Sequence, residues 1–153
     1  MRRNAMTSAV TIQVIQGPNL NLLGEREPHI YGTTTLADIH AALTQQASAW
    51  GWTVQFCQSN HEGDLIDAIH VARTTTQGLI INPGGLTHTS VALADALAAY
   101  AHPIIEVHLS NPHARESFRH HSFVSPLATG VICGLGAHGY TVALDALYHR
   151  LTK

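Results

Sequence analysis

A chain of 153 residues, 45% hydrophobic and 12% charged, is long enough for one domain with a full core, and its many alanines and few charges point to surface hidden by self-association. A formal net charge of −2 offers no basic patch, which argues against nucleic acid or an anionic membrane as partner. No apolar run is long enough to span a bilayer, and residues 1–9 place two arginines ahead of no apolar stretch, so they read as a flexible extension of a cytoplasmic protein rather than a secretory leader.

Residues 10–153 read as one domain. The first apolar run, Thr11–Ile15, is a buried strand. A long connection, Gly17 to Gly32, follows it. Next comes a helix over about Leu36–Trp50, in which Leu36, Ile39, Leu43 and Ala47 recur at helical spacing. A second strand, Thr53–Cys57, leads to a helix over Glu62–Thr74 striped by Leu65, Ile66 and Ile69, with Asn60 or Ser59 available as its cap. The third strand is Gly78–Ile81, and a polar loop from Asn82 to His88 leads into a helix over Ser90–Ala99. The fourth strand, Pro103–His108, is followed by a second long connection, Ser110 to Thr129. A fifth strand, Gly130–Cys133, and a last helix, Tyr140–Leu151, complete the pattern. Strands alternating with helices predict an α/β flavodoxin-like three-layer sandwich with a five-stranded parallel sheet of order 2-1-3-4-5. The loops after strands one, three and four then meet at the carboxyl edge, where such sheets bind ligands.

Chemistry concentrates at that edge. Glu106 and His108 close a buried strand and alternate onto one face. There a carboxylate fixes the imidazole tautomer and supports an acid/base role. Tyr31 lies in a loop bounded by Gly24 and Gly32 that can act as a lid. With a reference pKa of about 10, a tyrosine is a poor base at neutral pH unless a cation such as Arg26 stabilises its phenolate. Asn19 and Asn82 can serve a hydroxylated substrate or a developing oxyanion, or simply make turns. His88 can contact a substrate hydroxyl or cap the next helix, and Arg115 and Arg119 can clamp a carboxylate. Twelve histidines invite a zinc reading, but no His-Glu-x-x-His or Cys-x-x-Cys pattern is present, and no metal is expected. Cys57 and Cys133 read as reduced core residues. Gly134-Leu135-Gly136-Ala137-His138-Gly139 matches G-x-G-x-x-G, yet the chain ends before the further strand a dinucleotide site needs, so the glycines serve a tight turn.

Taken together these residues resemble the type II 3-dehydroquinate dehydratases. The resemblance is carried by Gly17-Pro18-Asn19-Leu20, Arg26-Glu27-Pro28 with Tyr31-Gly32, Gln58 through Gly63, Asn82 through Ser90, Ile105 through Asn111, Arg115-Glu116 with Arg119, and Ala128 through Gly136. It implies a lyase that dehydrates 3-dehydroquinate to 3-dehydroshikimate through an enolate, in the shikimate or quinate pathway. Tyr31 matches the base, Arg26 the arginine that favours its phenolate, Asn19 the residue that steadies the enolate through a water, and His108, paired with Glu106, the acid. Asn82, His88 and Arg119 match binders of substrate hydroxyls, and Leu109 and Ser110 match the carboxylate site. Asp95 matches a residue that reaches a neighbouring subunit's site. The resemblance also implies a homododecamer of four trimers and no metal or cofactor. Gln16 departs from it, since many members carry Asn there.

A lysine Schiff base, the other route to this reaction, is disfavoured because the single lysine is the terminal Lys153. A catalytically silent, flavodoxin-like oligomeric binding protein is the alternative, and an assay for enone formation separates the two. A phospho-acceptor receiver would need clustered Asp where this chain has Asn19 and Asn82. A flavin carrier would need a hydroxyl-rich loop after strand one.

Overall fold

The computed structural model describes residues 9–153. The expected N-terminal extension, apart from Ala9, lies outside the described residues. Five strands form one sheet in the order β2-β1-β3-β4-β5: β1 (Thr11–Gln16), β2 (Thr53–Gln58), β3 (Gly78–Asn82), β4 (Ile104–His108) and β5 (Gly130–Cys133). Every neighbouring pair is parallel. The expected order is the observed one, and each strand lies within a residue of its predicted bounds.

The helices are α1 (Pro28–Tyr31), α2 (Leu36–Ser48), α3 (Glu62–Thr75), α4 (Val91–Ala98) and α5 (His138–Leu151). They cover both faces because the central strands are apolar on both. Ile12, Val14, Ile80, Ile105 and Val107 pack with Ile39 and Leu43 of α2 and Ala143, Leu144 and Leu147 of α5. Ile15, Leu79, Ile81 and Ile104 alternate to the other face and pack with Leu65 and Ile69 of α3 and Leu93 and Leu97 of α4. Period-two side-chain direction thus produces two cores from one sheet.

Several local expectations are corrected. Neither Asn60 nor Ser59 is the cap residue of α3; His61 holds that position without a side-chain cap bond. The Asn60 side chain instead accepts from the Asn19 backbone, and Ser59 Oγ accepts from the His61 N–H and donates to Asp64. His88 does not cap α4, since Ser90 does, accepting from the Leu93 N–H. Cys57 and Cys133 are free thiols but only half-buried, on the strands at the two sheet edges rather than in the core. Burial raises both thiols above their ordinary range, with Asp64 adding to the effect at Cys57 and Glu106 at Cys133. The first long connection holds more structure than its composition suggests: a 3-10 turn (Leu20–Leu22) and the single-turn α1, with Leu20 and Leu23 buried.

The sheet reverses its winding between β1 and β3, the place where an open α/β sheet leaves a crevice. Here Gly17 N–H donates to the Asn82 carbonyl at 2.8 Å. A Cβ on Gly17 would lie 2.4 Å from the Pro83 carbonyl oxygen, so two backbones touch there and only glycine allows it.

Candidate active site

A cleft of about 160 Å3 opens at the carboxyl ends of β1, β3 and β4. Asn19, Arg26, Tyr31, Asn82, His88, His108, Leu109, Ser110, Arg115 and Arg119 all line it. The ends of β3 and β4 and the connections after β1, β3 and β4 supply these side chains, and the parallel sheet brings them to one edge.

Strand β4 contributes Glu106 and His108 to the α4 face. Glu106 is 1% exposed and His108 8% exposed. His108 Nε2 lies 2.6 Å from Glu106 Oε2. The carboxylate therefore accepts a hydrogen bond from the Nε2–H and leaves Nδ1 as the ring's second nitrogen, the arrangement that lets an imidazole exchange a proton with a ligand. A carboxylate this deeply buried needs more than one donor. The hydroxyls of Ser122 and Ser125, from the loop after β4, donate to it as well.

Strand β3 contributes Asn82 to the opposite, α5 face. Its Oδ1 accepts from the Gly84 N–H at 3.1 Å, and its Nδ2 donates to Tyr140 Oη at 2.9 Å. Both contacts fix which way the amide faces, leaving one N–H for the cleft. Tyr140 is fully buried, and burial pushes its phenol well above the ordinary range, with the Asn82 bond opposing that. It serves as a neutral hydrogen-bond partner. Beside Asn82 in the sheet register sits Gln16, whose buried side-chain amide has no hydrogen-bond partner among the described residues.

The loop after β1 contributes the remaining groups. Asn19 has a left-handed φ of 70°, which aims its backbone N–H at Asn60 Oδ1, 2.9 Å away. Tyr31 ends α1, half-buried. The Arg26 guanidinium lies 5.1 Å from its ring centroid and that of Arg115 5.5 Å, so the phenol is flanked by two cations. Arg115 Nη1 also donates to Ser110 Oγ at 3.2 Å, tying Ser110 to the tyrosine's surroundings. His88 Nδ1 is bonded to the His121 carbonyl at 2.7 Å, so Nδ1 carries the proton. Arg119 Nε donates to Glu116 at 2.9 Å.

Of the residues expected at a site, the fold brings together Asn19, Arg26, Tyr31, Asn82, His88, His108, Leu109, Ser110 and Arg119, with Glu106 immediately behind. Asp95 stands apart, exposed on α4 and outside the cleft. The sequence reading missed Ser122, Ser125, Tyr140 and the approach of Arg115 to Tyr31. A buried Glu at a strand end was itself a signal that hydroxyl donors must come from elsewhere. Among the described residues no cluster of three or more His, Cys, Asp or Glu side chains is placed to hold a metal ion.

Comparison with known proteins decides the family. The sequence model described as dehydroquinase class II matches residues 10–148. The chain belongs to the class II dehydroquinase family. A curated relative in Dinoroseobacter shibae, named 3-dehydroquinate dehydratase, is 60% identical over 141 residues, covering 92% of this chain and 94% of the relative. The crystal structure of the type II dehydroquinase from Propionibacterium acnes superposes with a TM-score of 0.88 at 45% identity, covering 93% of this chain and 99% of that one. The type II dehydroquinase from Butyrivibrio crossotus gives 0.89 at 45% identity, covering 92% and 99%. The dehydroquinase fold accounts for the strand order and for the loops that converge on the cleft.

Proposed function

We propose that the chain dehydrates 3-dehydroquinate to 3-dehydroshikimate, with Tyr31 as the base and His108 as the acid. The Glu106–His108 pair, 2.6 Å long and open to a cleft that Tyr31 also lines, carries this reading.

The proton next to a ketone is acidic enough for a phenolate to remove. Arg26 and Arg115, at 5.1 and 5.5 Å from the ring centroid, set two positive charges beside the base. Tyr31 takes the C2 proton, and the electron pair moves onto the ketone oxygen as an enolate. Asn19 steadies the enolate through a water. Collapse of the enolate expels the β-hydroxyl, to which His108 Nδ1 delivers a proton, so that water leaves. Glu106 compensates the imidazolium and holds its tautomer. Asn82, His88 and Arg119 bind the substrate hydroxyls, and the backbone N–H groups of Leu109 and Ser110 with the Ser110 hydroxyl receive the carboxylate. The reaction uses no metal or cofactor. Residues 10–153 are the catalytic unit, in a cytoplasmic homododecamer where Asp95 reaches a neighbouring subunit's site.

Ultraviolet absorbance of the conjugated enone provides the test. Tyr31→Phe and His108→Ala each lower kcat by about 10²–10⁴-fold while substrate still binds, and chelator leaves the rate unchanged. Tyr31→Phe turning over at close to the unmodified rate would overturn the base assignment. A particle mass by light scattering other than twelve chains would overturn the assembly.

A further inference from the structure

We infer that Ser122 and Ser125 are positioning residues for the acid half of the reaction, acting on His108 through Glu106. This inference rests on the acid role proposed for His108.

Glu106 is buried on β4, away from bulk water, so its donors decide where its oxygens point. Ser125 Oγ reaches Oε1 at 2.8 Å and Oε2 at 3.0 Å. Ser122 Oγ reaches them at 3.1 and 3.3 Å. With His108 Nε2 at 2.6 Å from Oε2, three donor groups hold one carboxylate. No lysine or arginine makes an ion pair with it among the described residues. Hydroxyls therefore do what a cation would do elsewhere, and the imidazole is the one ionisable group bonded to the carboxylate among the described residues.

The two serines are held differently. Ser122 Oγ accepts from the backbone N–H groups of Val124 and Ser125 at 3.1 Å each and lies 2.5 Å from Thr87 Oγ1. Thr87 sits on the 3-10 turn that ends at His88, so the same chain of hydroxyls ties the acid pair to a cleft histidine. Ser125 Oγ, in contrast, bonds only to Glu106 among the described residues. It is the cleaner probe, because changing it removes no bond that shapes the loop. Without that donor the carboxylate turns, and His108 no longer presents Nδ1 in the direction the acid step needs. Substrate contacts are untouched, so the loss falls on the chemical step.

Ser125→Thr and Ser125→Val have the same shape and differ in the hydroxyl. The valine variant is expected to lose about tenfold or more in kcat with KM within twofold of the parent. The threonine variant is expected to stay within about threefold of the parent kcat. Equal kcat in the two variants, or a loss confined to KM, overturns the inference. Where both bulkier chains fail to fold, Ser125→Ala decides: a parental kcat overturns it, and about a tenfold loss at unchanged KM supports it. His108→Ala run beside them separates the two levels. An active His108→Ala removes the acid role itself; an inactive one with a fully active Ser125→Val removes only the positioning role.

Discussion

Tyr100 shows how a single buried phenol writes itself into the stability of the whole chain. It is 5% exposed at the end of α4, and its Oη lies 2.8 Å from Thr76 Oγ1. Burial pushes its ionisation up to about 12, with the Thr76 contact opposing that shift. The unfolded chain ionises it near a pKa of about 10. Because the folded value is the higher one, the stabilisation is complete below about pH 10 and is lost as pH rises through about 12. Buried Tyr140 acts in the same direction. Unfolding free energies from urea titrations at pH 9 to 12 should fall across that window, by ~2 kcal/mol for Tyr100 alone. Tyr100→Phe should flatten the fall, whatever it does to stability at neutral pH. An alkaline slope unchanged in Tyr100→Phe would show that its burial is not what is titrating. The sequence made Glu106, His108 and Tyr31 legible because each is an anomaly of type or place. Tyr140 was not legible in the same way. An aromatic in the stripe with Ala143, Leu144 and Leu147 reads as core, and it is core; only its hydroxyl, meeting Asn82 from another element, makes it part of the site.

At the scale of elements, the Gly17 contact is the most exposed to test. The β1 and β3 connections touch backbone to backbone, and Gly17→Ala would drive a methyl against the Pro83 carbonyl at 2.4 Å. The loops must part to admit it, which displaces both Asn19 and Asn82. Overpacking of this kind costs about 1–3 kcal/mol, so the variant should melt several degrees lower and lose activity out of proportion to its loss of stability. A Gly17→Ala enzyme with parental kcat/KM would mean that the two connections move without consequence for the cleft. Strands were legible because a sheet buried on both faces writes continuous apolar runs, such as Leu79-Ile80-Ile81. The start of α2 was legible in a signal the sequence reading passed over: a capping box joins Thr35 to Asp38, with both bonds present. The start of α3 was not. Asn60 and Ser59 are good cap types, but their side chains are taken by Asn19 and Asp64, and a tertiary demand overrides local preference. Helix α1 escaped notice because Pro28, His29, Ile30 and Tyr31 are too few to show a period, and none of them is buried.

The molecule as a whole is arranged with its chemistry at one end of the strands and its aromatic cluster at the other. Trp50 stacks on Tyr148 with ring centroids 4.1 Å apart, and Trp52 meets Trp50 edge-on at 5.4 Å, beside the entry to β2. Their fluorescence reports the integrity of the packed body rather than of the cleft. Val131 on the edge strand β5 is 45% exposed, Leu135 50% and Phe118 65%. A lone chain would leave this apolar surface in water, which agrees with the proposed assembly. No helix among the described residues is long and apolar enough to cross a membrane.

The proposed acid and base are mounted on unequal supports. His108 rides on a strand whose five residues are all buried, whereas Tyr31 hangs from one helical turn with no buried residue. Local opening should therefore release the phenol long before the imidazole. In rising urea, turnover is expected to fade while tryptophan emission still reports a native body, and substrate or a tight inhibitor should draw the two curves together. Coincident curves without ligand would mean that the Tyr31 segment is as firmly anchored as the sheet. If they separate, the enzyme spends part of its time intact yet idle, and its working rate is set partly by how often one short segment returns to its seat.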